Sequence, residues 1–222
     1  MRLLVSGCSL IYGDELSDRN LRWAKLFADH FKFKEIVDLS EPGCSNPGIV
    51  RRTTNHLLSD SKFDFVLIGW SYNERQEFYR KGKFVEFLKS SSHKLGWTER
   101  TLHSLVFGAY DRPLDVKFVE GIKYRLLLAA FLRTDKIPYL FVPCGDDTLY
   151  DTWPNDKYRR AVELDPGIMG GRSYNNSSDD FERGPNGHPL EEANKSWATK
   201  IIEYVARHNI LPPQANQVEA GH

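Results

Sequence analysis

Short apolar runs alternate with longer amphipathic stretches along most of the chain. The apolar runs predict buried strands over residues 2–6, 35–39, 63–68 and 138–142. Glycine or proline follows each run closely, as is typical of strands that end in turns. The amphipathic stretches predict helices over residues 21–30, 46–58, 116–133 and 191–207. Because strands and helices alternate, the pattern predicts a three-layer α/β/α domain around a mainly parallel sheet.

Two stretches interrupt this alternation. Residues 71–114 combine aromatic and charged side chains and leave the sheet just after the third strand, so they predict a lid or substrate wall, or a helical hairpin that covers the domain. Residues 151–184 are rich in Asp, Asn, Ser and Gly and predict a long surface loop. Residues 211–222 predict an extended or disordered tail. We therefore expect a single domain over residues 1–210.

Composition narrows the class of protein. The 222 residues, 41% of them hydrophobic, are enough to bury one large core. Thirty Lys and Arg balance thirty Asp and Glu, which argues against nucleic acid as a partner. No apolar run approaches the ~20 residues that span a bilayer. The first apolar segment is also too short for a signal sequence, so we expect a cytoplasmic protein that does not associate with a membrane.

The sequence predicts neither a metal nor a cofactor. Cys8, Cys44 and Cys144 lack the pair spacing of metal ligands, and an odd number of cysteines cannot close a disulfide set, so we expect packed thiols. The polar run 175–180 lacks the spacing of an EF-hand. The turn over residues 7–13 lacks the glycine spacing of a dinucleotide site and the lysine of a phosphate loop.

Candidate chemistry begins where the first predicted strand ends. Ser9 follows Gly7 and Cys8 there, and ligands of open α/β sheets bind at the carboxyl ends of the strands. His188 lies on the segment entering the last predicted helix, from which it can fold back beside the first strand and act as a base for Ser9. These two residues predict nucleophilic catalysis by a serine.

Polar groups also follow the second and third predicted strands. Gly43 comes after the second strand, and the backbone N–H groups of Gly43 and Ser9 are candidate donors to an oxyanion. Ser71 and Asn73 follow the third strand and are further candidate donors. Arg75 is a candidate ligand for a substrate carboxylate, or a brace for the predicted lid.

Taken in this order, these blocks resemble those of the SGNH or GDSL-like hydrolases. The matching segments are Gly7-Cys8-Ser9 with Gly13, then Gly43, then Gly69-Trp70-Ser71, and finally His188-Pro189. Cys8 stands where the first block usually has aspartate. The resemblance covers about residues 2–207 and implies a flavodoxin-like sheet, an esterase that needs no cofactor, and a catalytic serine and histidine at Ser9 and His188.

Two departures from the family pattern concern the site itself. The third block normally reads Gly-x-Asn, so with Ser71 in its place the third oxyanion donor is the Ser71 hydroxyl, a shifted Asn73, or absent. Losing one such donor costs ~3 kcal/mol of transition-state stabilisation, about a hundredfold in rate. The family's aspartate, three residues before the histidine, is replaced by Pro185. The third member of the triad is then absent or one of these residues: Asn186, Glu182, Asp180 or Asp179.

The resemblance therefore predicts hydrolysis of a carboxylic ester, such as an acetyl ester on a carbohydrate. The alternative is a protein that keeps the fold with a decayed site and serves as a binding or structural component. The sequence is similar to small SGNH-like proteins of bacteria and their viruses, so a phage virion component is one such role, with a location in the virion or the host cell. No prediction of oligomeric state follows.

Overall fold

The computed structural model describes residues 1–60, 62–87, 100–101, 104, 114–146, 160 and 162–211. Its strands are β1 (Arg2–Gly7), β2 (Glu35–Asp38), β3 (Phe65–Trp70), β4 (Gln76–Arg80), β5 (Lys83–Phe87) and β6 (Tyr139–Pro143). Its helices are α1 (Ser9–Tyr12), α2 (Trp23–His30), α3 (Asn46–Ser59), α4 (Leu114–Thr134), α5 (Tyr174–Ser177) and α6 (Glu191–His208). A 3₁₀ turn, Arg19–Leu21, precedes α2.

The central sheet has the strand order β2-β1-β3-β6, and all of its pairs are parallel. β3 and β6 are buried along their whole length, and only Arg2 of β1 reaches solvent. Strands covered on both faces read as continuous apolar runs, which is why the sequence pattern located them. Helix α2 packs against α6, and α3 packs against α4. These two helix pairs flank the sheet and confirm the three-layer α/β/α architecture.

Glycines at the ends of β1 and β3 pair with each other instead of ending the strands. Gly7 lies opposite Gly69 in the parallel ladder, so β3 runs two residues beyond its predicted end. A Cβ on Gly7 would lie 2.4 Å from Ile11 Cγ2 and 2.6 Å from the Gly69 carbonyl oxygen. Because glycine leaves this space empty, α1 folds back tightly over the end of β1, which fixes the position of Ser9.

The segment after β3 differs from the predicted helical hairpin where the structure describes it. β4 and β5 form an antiparallel β-hairpin, and residues 88–99 with most of 102–113 lie outside the described residues. The hairpin is held on α3 by partly buried carboxyl groups. Glu77 pairs with Arg51 at 2.8 Å, and the Ser45 N–H donates to Glu86 at 3.1 Å. Burial and the facing Glu77 raise the pKa of Glu86.

The stretch predicted as a surface loop contributes to the core. Residues 151–159 lie outside the described part, but Val162, Ile168, Met169 and Tyr174 are buried. The backbone at Ile168 pairs in parallel with Phe141 of β6. Polar composition concealed these apolar positions because they are spaced widely among Asp, Asn and Ser.

The described chain ends in packed structure. Leu211 is buried, so the core reaches one residue past the predicted domain end, and residues 212–222 of the predicted tail lie outside the described residues. The three cysteines are buried, free thiols. Within the described chain, none of the helices combines the length and the apolar character that spanning a membrane requires.

Candidate active site

Ser9 is the first residue of α1, directly after the strand end at Gly7 and the N-cap residue Cys8. Its side chain is nearly buried, with 5% of the residue surface exposed. The first N–H groups of a helix have no acceptor within the helix, and no described residue accepts the N–H of Ser9. The Ser9 hydroxyl likewise has no hydrogen-bond partner among the described residues. Both groups are therefore available to a ligand at this strand end.

His188 reaches the same turn from the segment before α6. Its Nδ1 lies 2.8 Å from Oε2 of Glu15, and its backbone N–H donates to the same oxygen at 3.0 Å. Its Nε2 is 3.9 Å from Oδ2 of Asp14. The Asp14 N–H donates to the Ser9 carbonyl at 3.1 Å. The imidazole thus lies beside the turn that begins with Ser9, although Nε2 is not hydrogen-bonded to the Ser9 hydroxyl.

The Glu15 carboxylate is enclosed by donors from the histidine segment. Oε1 accepts from the backbone N–H of Asn186 at 2.8 Å and from its side-chain Nδ2 at 3.0 Å. Burial raises the pKa of Glu15, but the N–H groups of Asn186 and His188 and the imidazole outweigh it and lower the pKa to about 2. Glu15 is therefore a carboxylate at neutral pH and draws the imidazole proton onto Nδ1.

The residues proposed from the sequence as the third triad member lie elsewhere. Asn186 donates to Glu15 and does not accept from the imidazole, which corrects the role expected for it. Asp179 pairs with Arg172 and Arg183. Asp180 and Glu182 are exposed, and the described hydrogen bonds and ion pairs of the His188 side chain are with Glu15 and Asp14. Glu15, 173 positions away in sequence, makes the contact with Nδ1 instead.

Gly43 occupies a tight turn beside the end of β1. The Cys44 N–H donates to the Glu41 carbonyl at 3.2 Å, and Gly43 has a φ of +82° between them. Proline before a residue with positive φ gives a type II turn, which favours glycine at that position. The Glu41 N–H donates to the Gly7 carbonyl at 3.0 Å, which holds the turn against the strand that leads to Ser9. The Gly43 N–H has no acceptor among the described residues.

Asn46 holds the segment that follows β3 through hydrogen bonds to Ser71 and Asn73. Its Oδ1 accepts the Ser71 N–H at 2.8 Å, so its Nδ2 is the donor to the Asn73 side chain at 3.1 Å. The atom of Asn73 that accepts must then be Oδ1, which leaves Nδ2 of Asn73 without an acceptor among the described residues. Ser71 is fully buried, and its hydroxyl accepts from Arg75 at 3.0 Å. Among the described residues, Nδ2 of Asn73 is therefore one donor near this strand end that has no acceptor.

Arg75 is half-buried at the same strand end. Its guanidinium donates to Ser71 and lies 4.8 Å from the centre of the Tyr72 ring. These contacts hold Arg75 against the start of the segment that leaves β3, and its roles as a substrate ligand or as a brace for a lid stay predictions. Trp70 of β3 is buried and packs edge-on against Phe141, with the two ring centres 5.4 Å apart.

A buried amide joins the two segments that carry Ser9 and His188. Asn194 of α6 accepts the Trp23 N–H at 3.0 Å and donates to the Pro189 carbonyl at 3.2 Å. The Trp23 indole in turn donates to the Leu10 carbonyl at 3.0 Å. Contacts through α2 therefore connect α1 with the histidine segment.

Comparison with known proteins places this geometry in a known fold. A carbohydrate acetylesterase family member from Sinorhizobium meliloti superposes with a TM-score of 0.51 over 95% of this chain and 100% of that chain, at 13% identity. An acetyl xylan esterase gives a TM-score of 0.50 over 92% and 100%, at 14% identity. A protein described as lipolytic, of the G-D-S-L family from Desulfitobacterium hafniense, gives 0.50 over 95% and 99%, at 12% identity.

The chain has the SGNH hydrolase fold. No family model matches the sequence, and no curated protein sequence matches it significantly. The likeness to solved structures therefore establishes the SGNH fold, while the chemistry has to be argued from the site. In this fold, Ser9, Gly43 and Asn73 follow the carboxyl ends of three neighbouring parallel strands.

Sequence reasoning missed two residues of this site, Glu15 and Asn46. Asn46 was read only as the start of a helix, and its contacts with Ser71 and Asn73 span more than twenty residues. Glu15 has a left-handed backbone conformation, with φ of +67°, which propensities do not predict for glutamate. The signal that the sequence did offer was a pair of acidic residues, Asp14 and Glu15, directly after the serine turn.

Proposed function

We propose that the protein is a serine esterase in which Ser9 is the nucleophile and His188 is the general base. The observation that carries this proposal is the placement of His188 beside the Ser9 turn, with Nδ1 held by a carboxylate. That contact leaves Nε2 without a proton and able to accept one. In unliganded enzymes the hydrogen bond between nucleophile and base is often long and tightens only with substrate.

The reaction follows from these roles. The Ser9 Oγ attacks the ester carbonyl carbon while His188 Nε2 takes the hydroxyl proton. The tetrahedral intermediate then collapses, the bond to the alcohol breaks, and His188 returns the proton to the leaving alcohol. Water, deprotonated by the same nitrogen, then attacks the carbonyl carbon of the acyl-Ser9 ester. The bond from this carbon to Ser9 Oγ breaks, the acid leaves, and His188 returns the proton to Ser9 Oγ. No cofactor takes part in this sequence.

The oxyanion of the intermediate requires donors that have no other acceptor. We assign this role to the backbone N–H groups of Ser9 and Gly43 and to the side-chain Nδ2 of Asn73. Each of these groups lacks an acceptor among the described residues. Asn73 is preferred to Ser71 because the Ser71 side chain is fully buried and its N–H is bonded to Asn46. Donors fixed in advance in this way stabilise the developing charge.

A carbohydrate acetyl ester is the substrate class that we favour. Two of the solved structures with this fold are described as an acetyl xylan esterase and as a carbohydrate acetylesterase family member. At 13–14% identity this support is an analogy between folds. Hydrolysis of acetylated oligosaccharides, compared with hydrolysis of longer acyl esters of the same sugar, tests the choice.

A fluorophosphonate probe tests the esterase proposal directly, because it reacts with an activated serine. We expect labelling at Ser9, mapped by intact mass and peptide analysis, that is lost in Ser9→Ala and in His188→Ala. Ser59→Ala, which changes a serine at the end of α3, serves as the control and should be labelled at the parent rate. Failure of the folded parent protein to label would favour a decayed site and a binding or structural role, such as a component of a phage virion.

A further inference from the structure

We propose that Glu15, supplied by the same turn as Ser9, is the residue that positions His188 for catalysis. This inference rests on the roles proposed above for Ser9 and His188. Glu15 is a positioning residue because it contacts the imidazole and none of the reacting atoms. The usual source of this carboxylate, three residues before the histidine, is Pro185 in this chain.

The number and direction of the hydrogen bonds made by Glu15 support this role. Both carboxylate oxygens of Glu15 are occupied, Oε1 by two N–H donors of Asn186 and Oε2 by the N–H and Nδ1 of His188. Four donors from one short segment fix both the position of that segment and the plane of the imidazole. A carboxylate also selects the tautomer with its proton on Nδ1, which is the tautomer that a general base needs.

The backbone of the turn that carries Glu15 and the backbone of the facing histidine segment are both adapted to this contact. Gly13 and Glu15 have φ values of +78° and +67°, so the chain reverses twice after α1 and points Glu15 at the histidine segment. A non-glycine residue in this conformation is strained, and such strain clusters at functional sites. On the facing segment, a Cβ at Gly184 would lie 2.8 Å from Cδ of Glu15. Glycine at 184 therefore leaves room for the carboxylate.

The other acidic groups near His188 lie in positions that do not suit this role. Asp14 is 3.9 Å from Nε2, on the side where the base must accept its proton, and 39% of its side chain is exposed. It cannot also reach Nδ1. Asp179 is paired with two arginines, and Glu182 is exposed. Glu15, with 9% of its side chain exposed, is the carboxylate that the described structure holds on Nδ1.

The test compares the rate of fluorophosphonate labelling at Ser9 in four proteins. Glu15→Gln keeps the shape of the side chain but removes the charge, and its amide can force the wrong tautomer on His188. We expect labelling to slow by at least about 100-fold, since loss of the orienting carboxylate in a serine triad costs about 10⁴ in kcat. Glu15→Asp keeps the charge and should recover part of the rate. Glu182→Gln changes the competing carboxylate and should label like the parent.

A second measurement does not depend on activity. In protein labelled with ¹⁵N-histidine, NMR reports which ring nitrogen of His188 carries the proton. We expect a proton on Nδ1 in the parent and in Glu182→Gln, and loss of that state in Glu15→Gln. If the parent fails to label but shows the Nδ1 proton, and Glu15→Gln loses it, then the esterase proposal fails while the contact is confirmed.

The inference is overturned if Glu15→Gln labels at the parent rate, or if it keeps the parent tautomer. It is also overturned if Glu182→Gln is the variant that loses the rate. Circular dichroism and thermal unfolding of each variant show whether it is folded. Should Glu15→Gln fail to fold, Glu15→Asp decides, because a role in positioning requires it to keep the Nδ1 proton.

Discussion

Backbone N–H groups act in catalysis only where the local conformation turns them toward the ligand, and the oxyanion role proposed for Gly43 depends on such a conformation. Its φ of +82° belongs to the left-handed region, which costs a residue with a Cβ about 1–2 kcal/mol. The type II turn around it is bonded to Gly7, so any change in the turn is transmitted to the Ser9 strand end. Arg52 adds a second restraint, because its guanidinium contacts both Glu41 and Cys44 of this turn.

Gly43→Ala is expected to lower the rate of ester hydrolysis about 100-fold, mainly in kcat, because the added Cβ rotates an oxyanion donor away from the substrate. The matched control is Gly82→Ala. Gly82 lies at the tip of the β4–β5 hairpin with φ of +81°, and a Cβ there meets nothing within 4 Å. Both variants should lose similar stability in urea unfolding, whereas only Gly43→Ala should lose activity. Equal activity in the two variants would contradict the role of Gly43.

Individual residues also show how much of the candidate site could be predicted from the sequence alone. Ser9, Gly43 and His188 could be proposed from the sequence because each lies close to an element boundary that hydrophobic periodicity locates. Glu15 was not found, because its partner lies 173 residues away and its backbone conformation gives no signal in composition. Asn73 and Ser71 were left as alternatives, since the choice depends on the burial of Ser71 and on the hydrogen bonds that Asn46 makes to both residues.

At the scale of elements, the four predicted strands and the four predicted helices lie within about two residues of their observed bounds, because most of them have a buried and periodic face. The short helices α1 and α5 were not predicted. The β4–β5 hairpin was not, because its strands mix charged and aromatic residues without a clean alternation. Its Glu77 and Glu86 point toward α3 and are satisfied there by Arg51 and by the Ser45 N–H. Such burial depends on a tertiary contact that the local pattern does not contain.

Helices α2 and α6 are joined by one buried amide whose loss can be measured. Asn194→Ala leaves the Trp23 N–H and the Pro189 carbonyl without their partners, and we expect it to lower the free energy of unfolding by about 3 kcal/mol. Asn55→Ala, at an exposed position of α3, is the control and should change the same free energy by less than about 0.5 kcal/mol. Urea unfolding of both variants gives the comparison.

Asn194→Ala should also change the rate at which Ser9 is labelled by the fluorophosphonate probe. The amide orients the segment that follows His188, so Ser9 should label more slowly even under conditions where the variant is fully folded. A variant that is destabilised but labels at the parent rate would show that α6 stabilises the fold without aligning the base.

For the whole molecule, the contacts between the first turns and the last segment close the fold. Glu15 bonds to Asn186 and His188, and Ser17 bonds to Glu191 at 2.7 Å, across more than 170 residues of sequence. These contacts lie at one end of the sheet and join the beginning of the described chain to its last helix. The site and the closure of the fold are therefore the same set of interactions, and conditions that weaken one should weaken the other.

Acid titration separates the charge of Glu15 from its packing. The pKa of Glu15 is about 2 in the folded chain, against an ordinary value of 4.5. A carboxyl group with a lowered folded pKa stabilises the fold above its unfolded value, and this contribution is lost as the pH falls toward the folded value. The excess of the parent over Glu15→Gln in free energy of unfolding should therefore become smaller at each step below about pH 4.

Urea unfolding of the two proteins at steps between about pH 7 and about pH 3 measures this difference. Glu182→Gln changes an exposed carboxyl of the same segment and serves as the control in this comparison. Equal free energies of unfolding for the parent and Glu15→Gln at every pH would mean that the shape of the side chain, and not its charge, holds the histidine segment. In that case His188 would be oriented by packing alone, and the slow labelling expected of Glu15→Gln should not occur.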